Sequence, residues 1–122
     1  MSEVAPVTKR LSQEQIDRYA EASGDHNPVH VDPAFAAATP FGGTIAHGML
    51  VLASVSEMMT AAFGEAWLRR GKLRARFKAP ARPTDTITAS ATVRGEGAYA
   101  IEVRNDAGEV LINGTAELPS DG

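Results

Sequence analysis

The sequence predicts an α+β domain in which an antiparallel sheet wraps one long helix. Three observations carry this. From Gly48 to Phe63, residues Met49, Leu50, Val51, Leu52, Ala53 and Val55 leave no polar face in the first half, and a helix apolar all round is a buried helix. Beyond it, apolar and polar residues alternate with period two, as in sheets with one dry and one wet face. Gly95-Glu96-Gly97 and Asn105-Asp106-Ala107-Gly108 then read as hairpin turns. One buried helix followed by antiparallel strands is satisfied by helix-on-sheet packing.

The elements follow in order. Residues Met1 to Arg10 read as an arm or first strand, and Pro6 argues for an edge. Ser12 to Gln15 reads as a capping box, Ser12 capping and Gln15 reaching back. Ile16, Tyr19, Ala20 and Ser23 continue at helical spacing, giving a short amphipathic helix over Ser12 to Ala22. Gly24 marks its end. Asp32-Pro33 is a cap followed by proline at the first helical position, opening a short helix through Ala38. Thr39 to Thr44 is a loop with two adjacent glycines. The long helix runs from Gly48 to Phe63, with Gly64 just past its end. Strands are expected over Leu73–Ala79 and Thr86–Val93, then around Tyr99, Ile101 and Val103, and around Val110, Ile112, Ala116 and Leu118.

Length and composition exclude several classes. The 122 residues make one domain, 1–122, long enough for a core. A net charge of −3 gives no reason to expect nucleic acid. The chain has no cysteine, so it has no disulfide framework and no thiol nucleophile. No basic, apolar leader opens it, and the longest apolar run is far short of the roughly 20 residues that span a membrane. A cytoplasmic protein that does not enter membranes is expected.

The chemistry concentrates in Ser23-Gly24-Asp25-His26-Asn27-Pro28-Val29-His30. Gly24 and Pro28 break the helix, so Asp25 and His30 are expected on a sharp loop, pointing into a common space. A carboxylate and an imidazole converging on one point are the material of general acid–base chemistry. Read blandly, they are a turn carboxylate and a surface histidine. Asn27 before proline is an ordinary turn residue, and His26 has no assigned role. Gly48 opens the long helix, where the first N–H groups have no intrahelical partner and the dipole is positive; these are free donors for an oxyanion. His26 and His30 are four apart, but Pro28 lies between them, and no metal site is expected. Seven of the twelve Lys and Arg lie between Arg69 and Arg82. They read either as the wet face of a strand or as a lane for phosphates.

The run Tyr19 to Asp32, continued by Pro33 to Ala38 and by Ile45-Ala46-His47-Gly48-Met49-Leu50, resembles the signature of the MaoC-like, R-specific enoyl-CoA hydratases. The resemblance extends from about Ser12 to Leu118. It implies a hot-dog fold, with the sheet as the bun around the helix, and pairing into homodimers. It implies syn addition of water to a trans-2-enoyl thioester, giving the (R)-3-hydroxyacyl thioester, without cofactor or metal. Asp25 and His30 would handle the water, Asn27 would orient the loop and the water, and the Gly48 N–H would be the oxyanion donor. Ser56 matches a serine that the family places near the carboxylate. The substrate carrier would be coenzyme A or a carrier protein. Two rivals remain: a non-catalytic subunit that binds acyl thioesters, and a thioesterase of the same fold using Glu57 on the central helix.

Overall fold

The computed structural model describes residues 4–120. Met1 to Glu3, part of the expected arm, lie outside the described residues. Strand β1 (Val7–Arg10) leads into helix α1 (Gln13–Ser23). Ser12 caps α1, its Oγ accepting the Gln15 N–H at 3.1 Å. The return arm of the expected box is missing. Gln15 Oε1 is buried without a partner, turned inward rather than back to Ser12.

Gly24 closes α1 in the left-handed region at φ 78°, its N–H bonded to the Ala20 carbonyl; glycine adopts this conformation without steric cost. Helices α2 (Pro28–Val31) and α3 (Pro33–Ala37) follow back to back. Each has proline at its start behind a capping side chain. Asn27 Oδ1 accepts the Val29 N–H at 3.1 Å. Asp32 Oδ1 accepts those of Ala34 and Phe35, each at 3.1 Å.

Helix α4 (Gly48–Phe63) has the expected bounds but is not buried all round. Val51, Ser54, Val55, Met58 and Met59 form one buried stripe at i, i+3, i+4, i+7 and i+8. Met49 is 59% exposed, and Leu50 and Leu52 are only partly buried. The sheet covers one side of α4, through β1, β3 and β4. Apolar composition reports what a helix is able to bury, not what covers it. Helix α5 (Glu65–Arg70) was not expected. Gly64 ends α4 and immediately caps α5, a piece too short for periodicity to register. Its Trp67 joins the core.

Strands β2 (Lys72–Phe77), β3 (Thr86–Gly95), β4 (Ala98–Asn105) and β5 (Val110–Glu117) complete a five-stranded antiparallel sheet in the order β1-β3-β4-β5-β2. The turns predict the β3-β4-β5 meander. β2 stands apart from it: it precedes β3 in the chain yet pairs with β5 at the far edge. A register shift at Val103/Arg104 changes the phase of β5, so Leu111 and Ile112 are both buried while Val110 is only partly so. The core lies between the α4 stripe and Ile87, Ala89, Tyr99, Ile101, Val103 and Ala116. Each large side chain buried there contributes about 1.5–3 kcal/mol.

Candidate active site

Asp25 lies in the loop between α1 and α2. His30 does not share that loop. It is buried inside α2, its N–H bonded to the Asn27 carbonyl at 2.9 Å. The same Asn27 and Pro28 that break α1 start a new helical turn, and this turn carries the imidazole inward.

His30 Nδ1 lies 2.8 Å from the Ile45 carbonyl oxygen. A carbonyl only accepts, so Nδ1 carries the hydrogen and the neutral ring keeps its lone pair on Nε2. Nε2 faces Asp25 Oδ2 across 3.9 Å. That is too long for a direct hydrogen bond and suits a water donating to both atoms. Asp25 Oδ1 accepts the Asn27 N–H at 3.2 Å, which leaves Oδ2 for the gap. The Asp25 side chain is 53% exposed, so the pair is open to solvent on one side and walled on the other. Asn27 is thus tied to the loop twice, as the cap of α2 and as a partner of Asp25.

Gly48 opens α4 beside this pair. The preceding residue, His47, makes no side-chain cap bond, so the helix N-terminus is not closed by its own chain. Two pockets, of about 320 and 300 Å³, share Gly48 and Phe77 as walls. The first is lined also by His30 and Lys78, the second by Tyr19, Asp25, His47 and Met49. Glycine leaves room for the Phe77 ring against the helix start. A Cβ at position 48 would stand 2.9 Å from Phe77 Cε1.

Two side chains at the site have no role assigned from the sequence. His47 falls in the Ile45–Leu50 run that carries the resemblance, but reads there only as the residue before a helix. Its ring is buried, stacks on His30 with centroids 3.9 Å apart, and places Nε2 3.0 Å from the Asp25 main-chain oxygen. Gln13 links three elements: its Nε2 donates to the His30 carbonyl at 2.8 Å and its Oε1 accepts from Thr44 Oγ1 at 2.7 Å. Both depend on partners far along the chain.

Ser56 lies farther along α4 and lines neither pocket. The buried serine is Ser54, which donates to the Val51 carbonyl at 2.7 Å. Glu57 is held in an ion pair by Lys9 at 2.6 Å. Of the basic cluster, Lys72, Arg74 and Arg76 alternate outward on β2, while Lys78 reaches the first pocket. Asp25, His30 and His47 offer one ligand atom each, all within 4.8 Å. Bonds of zinc length set tetrahedral donors about 3.3 Å apart, so the cluster is wider than a preformed zinc site. Among the described residues no helix is long and apolar enough to cross a membrane.

Comparison with known proteins identifies the family and the fold. The family model described as MaoC like domain matches residues 2–114. The 3-hydroxyacyl-thioester dehydratase Z of Mycobacterium tuberculosis is 37% identical over 89 residues, 70% of this chain and 59% of that protein. The (R)-specific enoyl-CoA hydratase of Rhodospirillum rubrum is 36% identical over 94 residues, 75% of this chain and 63% of that protein. The chain therefore spans about three-fifths of these curated relatives. The unliganded R-hydratase PhaJ1 of Pseudomonas aeruginosa superposes with a TM-score of 0.80 at 29% identity, over 96% of this chain and 79% of that one. The fold is the hot-dog fold of these R-hydratases, and the chain belongs to the MaoC-like domain family.

Proposed function

We propose that this domain interconverts trans-2-enoyl thioesters and (R)-3-hydroxyacyl thioesters by syn addition and loss of water. The observation that carries the reading is the 3.9 Å gap between Asp25 Oδ2 and His30 Nε2, set beside the open N-terminus of α4 at Gly48. A water in the gap donates its hydrogens to the two acceptors and keeps a lone pair for C3. As its oxygen bonds to C3, the C2–C3 π electrons move toward the thioester carbonyl, and the oxyanion falls to the Gly48 N–H. The proton taken by the pair returns to C2 on the same face, and the dyad ends as it began. Every step balances with water and thioester alone, so this reading calls on neither metal nor cofactor.

Coenzyme A or a carrier protein supplies the thioester, with Lys78 at the rim of the first pocket suited to a phosphate. The active unit is proposed to be a homodimer. Met49 and Phe77 stand exposed beside the pockets, and β1 and β2 leave open strand edges. Light scattering is expected to give twice the monomer mass, and a monomer at micromolar concentration would overturn this part.

Glu57, the candidate carboxylate of the thioesterase reading, lines neither pocket and pairs with Lys9 at the surface. The deciding experiment gives the protein short enoyl-CoA and acyl-CoA together, with and without a chelator. Enoyl absorbance should fall, insensitive to chelation, with no release of free thiol. Thiol release alone would establish the thioesterase, and binding without either change would establish a non-catalytic subunit.

A further inference from the structure

The third histidine has a place in the site that the hydration steps leave unused. His47 is 2% exposed. Its ring lies between Tyr19, at 4.8 Å between centroids, and the His30 imidazole, stacked at 3.9 Å with the planes 27° apart. Its Nε2 is 3.0 Å from the Asp25 carbonyl oxygen, so Nε2 carries the hydrogen and donates it. Nδ1 is then a buried lone pair with no partner. A buried, unpaired acceptor is destabilising, and an apolar side chain packed between Tyr19 and His30 would avoid it. The imidazole therefore carries a polar cost at Nδ1 that a hydrocarbon would not. What it supplies in exchange is the donated hydrogen bond to Asp25.

That bond joins parts that nothing local joins. Asp25 is in a solvent-facing turn, held otherwise by neighbours in sequence: its N–H donates to Ser23 Oγ at 3.2 Å and its Oδ1 accepts from Asn27. His30 is fixed from the interior through Ile45. His47 touches both and stands directly before Gly48.

We propose that His47 is a positioning residue. By donating Nε2–H to the Asp25 carbonyl while stacking on His30, it sets the Asp25–His30 separation and locks both to the oxyanion-donor end of α4. The inference rests on the hydratase reading above. A misplacement of about 1 Å in such a constellation costs about 10²-fold in rate.

The test uses two substitutions with opposite losses. His47→Phe keeps a ring for Tyr19 and His30 and removes the donor. His47→Gln loses the ring but keeps an amide N–H at the reach of Nε2. His47→Phe is expected to lower kcat about 10–100-fold with KM for a short enoyl-CoA unchanged, and His47→Gln to recover most of it. In amide NMR spectra the His26 N–H, next to the accepting carbonyl, should shift in His47→Phe and not in His47→Gln. Should Phe prevent folding, His47→Leu, which also lacks a donor, takes its place. A folded donor-less variant with wild-type kcat overturns the inference, as does a Gln variant as impaired as Phe. Wild-type protein and Asp25→Asn are assayed alongside. An active wild type and an inactive Asp25→Asn beside a fully active His47→Phe sink the role of His47 alone. An inactive wild type sinks the hydratase reading, and this inference with it.

Discussion

Gly48→Pro removes one N–H from the N-terminus of α4 and nothing else that the chemistry uses. The backbone accepts it. Gly48 is the first residue of α4, where proline is favoured. His47 holds φ −61° and ψ 136°, the extended region a residue before proline prefers. The remaining difficulty is bulk, since a Cβ comes within 2.9 Å of Phe77 Cε1 and 3.1 Å of its Cδ1. Phe77 is 55% exposed, so its ring can swing outward. Gly48→Ala adds the same Cβ and keeps the N–H, so it accounts for crowding at Cβ, and the variants then differ in the donor and in the ring carbons that replace it.

Loss of one oxyanion donor costs about 10²–10³ in kcat, or about 2.7–4 kcal/mol of transition-state stabilisation. The expected result is a modest loss for Gly48→Ala and a further loss of about 10²–10³-fold for Gly48→Pro, with KM changing little between the two. The assay is the initial rate of enoyl-CoA absorbance loss, with circular dichroism melting of each variant. A folded Gly48→Pro protein within about threefold of Gly48→Ala, far inside the expected span, would refute the oxyanion assignment.

Asp25→Asn keeps shape and removes the acceptor charge, so hydration should fall by about 10²–10⁴-fold while the thermal midpoint barely moves, because the side chain is half exposed. His30→Gln should lose as much activity and also lower the melting temperature, because it disturbs a buried donor to the Ile45 carbonyl, worth about 1–3 kcal/mol if left unpaired. The double variant Asp25→Asn/His30→Gln should be scarcely slower than the slower single variant, since groups acting as a unit are not additive; a rate at the product of the two losses would show that they work separately. Asn27→Ala removes the cap of α2, so urea unfolding should report a loss of about 0.5–2 kcal/mol, with a fall in kcat because His30 rides on that turn.

The parts legible in the sequence are those written in neighbouring residues. Asp25 and His30 stand out because Gly24 and Pro28 interrupt a helical pattern around them. Gly48 stands out because an apolar run begins there, and the β3-β4-β5 meander because turn residues separate its strands. The illegible parts depend on partners distant in the chain. His47 meets Asp25 across 22 residues, and Gln13 meets Thr44 across 31. The run around His47 marks the residue, but no local pattern says that either side chain turns inward to these partners. β2 alternates as cleanly as β3, yet its place beside β5 is decided by how the sheet closes. Exposure of the first turns of α4 was hidden for the same reason, because composition does not record which face a sheet will cover.

These two kinds of contact divide the site between them. His30 takes its position from the interior, through Ile45 and Gln13, and exposed solvent has little access to those bonds. Asp25 takes its position from a short turn whose own hydrogen bonds to Ser23 and Asn27 are solvent-exposed. Exposed, local bonds open at low free energy, well below global unfolding. A carboxylate on a water-exposed turn and an imidazole anchored from the interior, its Nε2 facing the gap, are what a water-adding pair requires. The same asymmetry would let the two drift apart if the turn were left to itself. His47 bonds the exposed half at its main chain and stacks on the buried half with its ring, leaving Asp25 Oδ2 free to face the gap.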